Sequence, residues 1–192
     1  DINGEQQTGF GFFQYHQRRG SRCSAAKAFL RPARLRKNLH VALFAHVTRV
    51  IFDETNKRAL GVEFIRNGKK QAVYAKREVI LSAGAISTPQ LLMLSGIGPR
   101  EHLEKFGINV IHHSPGVGRN LQDHVAAGGL VFQIDHPVGF VMNRLVNINS
   151  AVRYAVSEDG PLTSSIGIEA VGFVSTKYAN QTDDWPDIEF HL

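Results

Sequence analysis

The stretch Glu78–Gly98, EVILSAGAISTPQLLMLSGIG, decides the fold. It reads as a buried strand running into a helix, with four small residues, Ser82, Ala83, Gly84 and Ala85, between them. "VIL" is apolar without a break, which suits a strand covered on both faces, as in a parallel sheet. The spacing predicts a helix opened by Ser87 or Thr88 as cap and Pro89 at the first helical position. Gly96 stands where a left-handed terminating residue is expected. Small residues at the exit of such a strand let a ligand approach the backbone, and the following helix offers free N–H groups that suit phosphate. Tight strand–helix packing would ask for the same small residues.

Upstream, "HVTRVIF" alternates imperfectly, as a partly buried strand does. With "LGVEFIRN" and "QAVYAK", separated by polar turns at "ETNKRA" and "GKK", it makes a three-stranded antiparallel meander. The opening "GFGFFQYHQRRGSR" reads as irregular, and "SAAKAFLRPA" as a short helix with Ser24 as cap. "NLHVALFA" reads as β-rich. Downstream, Pro99 opens a second short helix ended by Gly107, "INVIHHSP" is a short strand, and "GVGRNLQDHV" is a loop. "GGLVFQIDHPVGF" is β-like, "VNINSAVRYAVSEDG" is helical, and "GIEAVGFVSTKY" with "DIEFHL" forms a second sheet. The fold class is α/β (α+β overall).

The 192 residues can form one or two domains with a real core. No apolar run approaches the roughly 20 residues of a membrane helix. The single cysteine, Cys23, excludes a disulfide framework within this chain and reads as a small buried hydrophobe. Net charge is +5, and no Asp or Glu occurs between Gln6 and Phe52. Basic residues there, Arg18, Arg19, Arg22, Lys27, Arg31, Arg34, Arg36 and Lys37, lie beside Phe10, Phe12, Phe13 and Tyr15. That composition is open to a basic nucleic-acid-binding module in residues 6–52, or to a solvated face neutralised by other parts of the protein. The histidines His112, His113, His124 and His136 have no metal-ligand spacing, so no metal site is expected. Gly116-x-Gly118 fails as a dinucleotide fingerprint because Leu121 occupies the third glycine position.

"GAISTPQLLMLSGIG" resembles the second signature of the glucose–methanol–choline (GMC) oxidoreductases through Gly84-Ala85, Thr88-Pro89, the apolar body and Ser95-Gly96-Ile97-Gly98. "GSRCSAAKAFL", "HVTRVIF" and "PGVGRNLQDH" are similar to flanking stretches of that family, and the tone is closest to insect glucose-dehydrogenase-like members. The resemblance implies an internal fragment of an FAD-dependent enzyme oxidising CH–OH groups of alcohol donors by hydride transfer to flavin. It implies part of an FAD-binding Rossmann-like domain with a meander, then the start of a substrate domain. Residues 1–36 would lead in, residues 37–127 belong to the FAD domain and residues 128–192 to the substrate domain. Val47, with Val50 as the alternative, takes the place of a residue meeting adenine through its backbone. Ser82, Ala83 and Gly84 match residues closing on the ADP half of FAD. Asn120, Asp123 and His124 read as structural hydrogen-bonding residues. The catalytic base belongs to a part of the family beyond Leu192, so no catalytic residue is assigned, His191 included. Implied partners are a small alcohol and an electron acceptor, oxygen or quinone, with neither nucleic acid nor a membrane span. No compartment follows from the residues, and the resemblance leans toward an extracellular one.

Overall fold

The computed structural model describes residues 1–53, 55, 57–129, 133, 135–136, 141–164, 168–180 and 182–192. In chain order its strands are β1 (Gly9–Phe12), β2 (Gln17–Arg18), β3 (Ser21–Arg22), β4 (His46–Asp53), β5 (Arg58–Arg66) and β6 (Lys69–Tyr74). They continue with β7 (Ile97–Gly98), β8 (His112–His113), β9 (Ala170–Val174) and β10 (Ile188–His191). The α-helices are α1 (Arg31–Ala33), α2 (Gly84–Leu94), α3 (Arg100–Lys105), α4 (Met142–Leu145) and α5 (Ile148–Ser157), with a π-helical turn at Ala26–Leu30. The chain divides into two compact units, residues 40–130 and residues 1–39 with 131–192.

The unit of residues 40–130 is built on the expected antiparallel meander, β4-β5-β6. Its second hairpin turns at Asn67 and Gly68, with φ of +51° and +70°. Two successive positive φ angles define the tight turn whose twist matches the flanking strands. β4 carries a bulge: Val47 pairs with Phe64 and Arg49 with Glu63, leaving Thr48 as the extra residue. The bulge explains the imperfect alternation, since one extra residue brings Val47 and Val50 to the same face. Glu63 receives Arg49 at 3.0 Å and Lys70 at 2.9 Å, tying the three strands together.

Helix α2 packs on β4. Ser95, 4% exposed, accepts the N–H of Val50 at 2.9 Å and donates to the Leu91 carbonyl at 2.5 Å. Gly96 takes φ +88° at the helix end, as its position predicts. A Cβ there would lie 2.5 Å from the Asn109 carbonyl oxygen. That close approach lets the Gly96 carbonyl accept Ile111 N at 2.9 Å and opens the short parallel pair β7–β8. Leu103 of α3 is fully buried, and Gly107 closes that turn with φ +65°.

In the other unit β9 lies between β1 and β10, both antiparallel to it. Gly172 of β9 faces Phe10 and Phe190, whose rings stack at 6.4 Å. The rings cover the face that glycine leaves bare. Val171 is buried here. Asn147 caps α5 by accepting Ser150 N at 2.9 Å, and Glu158 ends it at φ +55°.

Four expectations need correction. The opening is not irregular: Gly9–Phe12 is a strand and Gln17–Arg22 a small hairpin, because Gly-rich stretches hide their alternation and the partner lies far along the chain. Residues 40–45 carry no strand, and Phe44 takes φ +55°. Helix α2 starts at Gly84, five residues before Pro89, which stands inside it. Gly84 supplies the positive φ that starts the turn early, and Pro89, inside the helix, gives up its own N–H bond. Finally, Glu78–Ser82 joins no ladder among the described residues, and Ile80 is 75% exposed. An apolar run supplies faces for a sheet, but only neighbouring strands supply the hydrogen bonds. The β-like reading of residues 128–140 lies largely outside the described residues.

Candidate functional site

Ser82, Ala83, Gly84 and Ala85 form an exposed, nearly side-chain-free shelf at the start of α2. Gly84 has φ +91°, and a Cβ added to it would meet nothing within 4 Å. The glycine is therefore required by backbone conformation, and the space above it is open. Ala83, the residue before the helix, provides no side-chain cap, and the first turn carries no acidic residue. The Ala83 N–H is turned to the Thr88 hydroxyl at 3.0 Å. The helix thus presents first-turn N–H groups and the positive end of its dipole on an uncluttered surface. Such a surface can receive a negatively charged group at backbone distance.

Val47 lies in β4, half-buried, at the bulge. The bulge's extra residue is the neighbouring Thr48, so main-chain groups outside the regular ladder stand next to Val47. Val50 is the poorer alternative: it is 3% exposed and its N–H is already taken by Ser95. The Val50–Ser95–Leu91 bonds join the strand bearing Val47 to the helix whose other end bears the shelf. Sequence reasoning missed Ser95 as this joint, although Ser95 stood within the signature; a serine just inside a helix end beside a glycine was the available signal. A separate cleft of about 300 Å³ lies at the C-terminal end of α2, lined by Arg49, Val50, Leu94, Asn109 and Ile111. It is not at the shelf.

The 115–124 loop is exposed, and its polar residues bond locally. Asn120, at φ +55°, accepts Gln122 Nε2 at 3.2 Å, and the Asp123 carboxylate accepts His124 N at 2.9 Å. His113 Nδ1 accepts Arg100 N at 3.1 Å at the start of α3. His191 pairs with Glu189 at 2.9 Å on β10. Cys23 is half-buried and free. In the acid-free segment, Arg19 reaches Glu158 at 3.8 Å and Lys27 Nζ donates to Ser21 Oγ at 2.5 Å, while Arg31, Arg34, Arg36 and Lys37 are exposed. Among the described residues no cluster of three or more His, Cys, Asp or Glu could hold a metal, and no helix is long and apolar enough to cross a membrane.

Comparison with known proteins places this geometry in a class. The sequence model of the GMC oxidoreductases matches residues 1–126, and the chain belongs to that family. It is 40% identical, over its whole length, to 30% of the Drosophila pseudoobscura pseudoobscura "Glucose dehydrogenase [FAD, quinone]". It is 54% identical over 125 residues to human mitochondrial choline dehydrogenase, covering 65% of this chain and 21% of that enzyme. The crystal structure of formate oxidase superposes on 87% of this chain and 29% of its own, with a TM-score of 0.70 and 32% identity. An FAD-dependent oxidoreductase from Chaetomium thermophilum superposes on 91% and 31%, with a TM-score of 0.72 and 28% identity. The chain spans about 30% of the glucose dehydrogenase's length. None of these supports the nucleic-acid reading of residues 6–52.

Proposed function

We propose that this chain is the part of an FAD-dependent GMC oxidoreductase that holds the nucleotide half of the cofactor and begins the substrate domain. The observation that carries the reading is the shelf: an uncapped N-terminus of α2 behind Gly84, whose Cα faces open space at φ +91°. Those residues fit a diphosphate-bearing group, because free N–H groups and a positive dipole end are complementary to phosphate. Ser82, Ala83 and Gly84 would close against the ADP portion, and the backbone of Val47 would meet adenine. When bound, the flavin supplies the hydride acceptor for oxidation of a CH–OH group. This chain's residues bind and orient; the base that takes the hydroxyl proton is assigned to none of them. The unit of residues 40–130 corresponds to the FAD portion and residues 131–192 to the substrate portion. The exposed apolar groups Ile80, Ile86 and Phe44 would be covered by other parts of the full-length protein.

The similarity to glucose and choline dehydrogenases supports an alcohol donor such as a sugar or choline, with a quinone or oxygen as acceptor. The test is Gly84→Val in the full-length enzyme, read as flavin absorbance per polypeptide. A side chain at this φ costs about 1–2 kcal/mol, and its branches enter the space assigned to the cofactor. That strain lowers fold stability with or without cofactor; each 1.4 kcal/mol of clash felt only in the bound state weakens binding about tenfold, so the purified variant should lose flavin. Gly84→Ala, carrying the strain without the branches, should lose less. Normal absorbance in Gly84→Val would refute the placement.

A further inference from the structure

The segment joining β9 to β10 carries a motif that cofactor binding does not use. Asn180-Gln181-Thr182 is the one Asn-X-Ser/Thr tripeptide in the sequence, and its middle residue is not proline. Such a tripeptide is an acceptor signal for asparagine-linked sugar, and it works on surface segments. Asn180 is exposed. The Thr182 hydroxyl donates to Asn180 Oδ1 at 2.8 Å and the Thr182 N–H to the same oxygen at 3.1 Å. Both donors of the third residue thus hold the carboxamide oxygen in an Asx turn. Donation to that oxygen draws electron density from Nδ2 and makes its protons easier to lose. Nδ2 itself donates to the Asp183 carboxylate at 2.8 Å.

The base of this connection is tied to the rest of its unit. Asp187 accepts Thr176 N at 2.8 Å and Thr176 Oγ1 at 2.6 Å. Asp184 accepts the Thr8 hydroxyl at 2.5 Å, joining the segment to the β1 end of the same unit. Tyr178, two residues before Asn180, is 84% exposed, with Lys177 Nζ 5.0 Å from its ring centroid. An exposed ring beside the acceptor offers an apolar face to the first sugar, whose C–H groups stack on aromatic surfaces.

We propose that Asn180 is an N-glycosylation site, receiving an oligosaccharide that begins with an N-acetylhexosamine. The donor class is a lipid-linked oligosaccharide diphosphate. A C–N bond forms between Asn180 Nδ2 and the anomeric carbon, the anomeric C–O bond to the diphosphate breaks, and one amide proton leaves with the lipid diphosphate. The proposal is independent of the cofactor reading, because it concerns a surface segment and is read without flavin.

The test expresses the full-length protein in cultured animal cells from its own coding sequence. Peptide-N-glycosidase treatment and mass mapping of the peptide containing Asn180 follow. The expected result is a downward mobility shift on treatment and conversion of Asn180 to Asp. Asn180→Gln and Thr182→Ala should abolish the shift contributed by this peptide, and Thr182→Ser should retain part of it. Mapping the unsubstituted protein keeps the test valid even if a variant fails to fold. Recovery of the Asn180 peptide unmodified, from whichever compartment the protein occupies, overturns the proposal.

Discussion

Replacing Ser95 with Ala tests the joint between the helix that bears the shelf and the strand that bears Val47. Ser95 is 4% exposed and Val50 is 3% exposed, so little water reaches the lost bond. The substitution leaves the Val50 N–H buried without its acceptor. An unsatisfied buried donor costs about 1–3 kcal/mol. The Leu91 carbonyl adds little, because it also accepts the backbone N–H of Ser95 at 3.1 Å. For the first one to two kcal/mol the open population rises about 5–30-fold. Hydrogen exchange at the Val50 amide in the full-length protein, under conditions where exchange follows the opening equilibrium, reads this population directly. The exposed Ser87→Ala serves as control and should move stability by no more than about 0.5 kcal/mol. If Ser95→Ala leaves exchange at Val50 no faster than the control does, the bond does not hold helix to strand and the reasoning fails.

Gly61→Ala should disrupt the meander more sharply, because the new Cβ would lie 2.1 Å from the Val73 carbonyl oxygen, a backbone atom of the paired strand. Overpacking of this kind costs about 1–3 kcal/mol, read as a lower urea midpoint; an unchanged midpoint would show that the strands can part without cost. The Glu63 carboxyl is held below its usual value by its hydrogen bond from Lys70, with Arg49 adding to the effect. Its contribution to stability is therefore present above its unfolded value of 4.5 and is lost as pH falls through the lower folded value. Glu63→Gln should flatten that acid limb of a stability-versus-pH curve, and an unaltered limb would assign the loss to other carboxylates.

How much could be read in advance differs from element to element. The meander and the ends of α2 and α3 were legible because their causes are local: a polar turn read at "GKK", which the structure sets one residue earlier at Asn67-Gly68, and the left-handed glycines Gly96 and Gly107. The shelf was legible as a string of small residues, and the family resemblance named the nucleotide it implies there. The bulge at Thr48 showed only as a flaw in alternation, since sequence records the extra residue without recording which partner it faces. The β1 strand was invisible because glycine carries no facing and its partner strand β9 lies in the distant C-terminal part of the chain. Ser95 belongs with these long-range decisions: a serine near a helix end is common, and only the approach of Val50 across 45 residues makes it a joint.

The sequence by itself determined the meander, the glycine-terminated ends of α2 and α3, and the family, because each rests on neighbours within a few residues. Tertiary structure alone decided that Gly84 turns to φ +91° with open space above it, that Ser95 satisfies Val50, and that Gly9–Phe12 pairs with β9. Those outcomes depend on which distant groups meet, and hydrogen bonds and steric exclusion act only where groups already stand in contact.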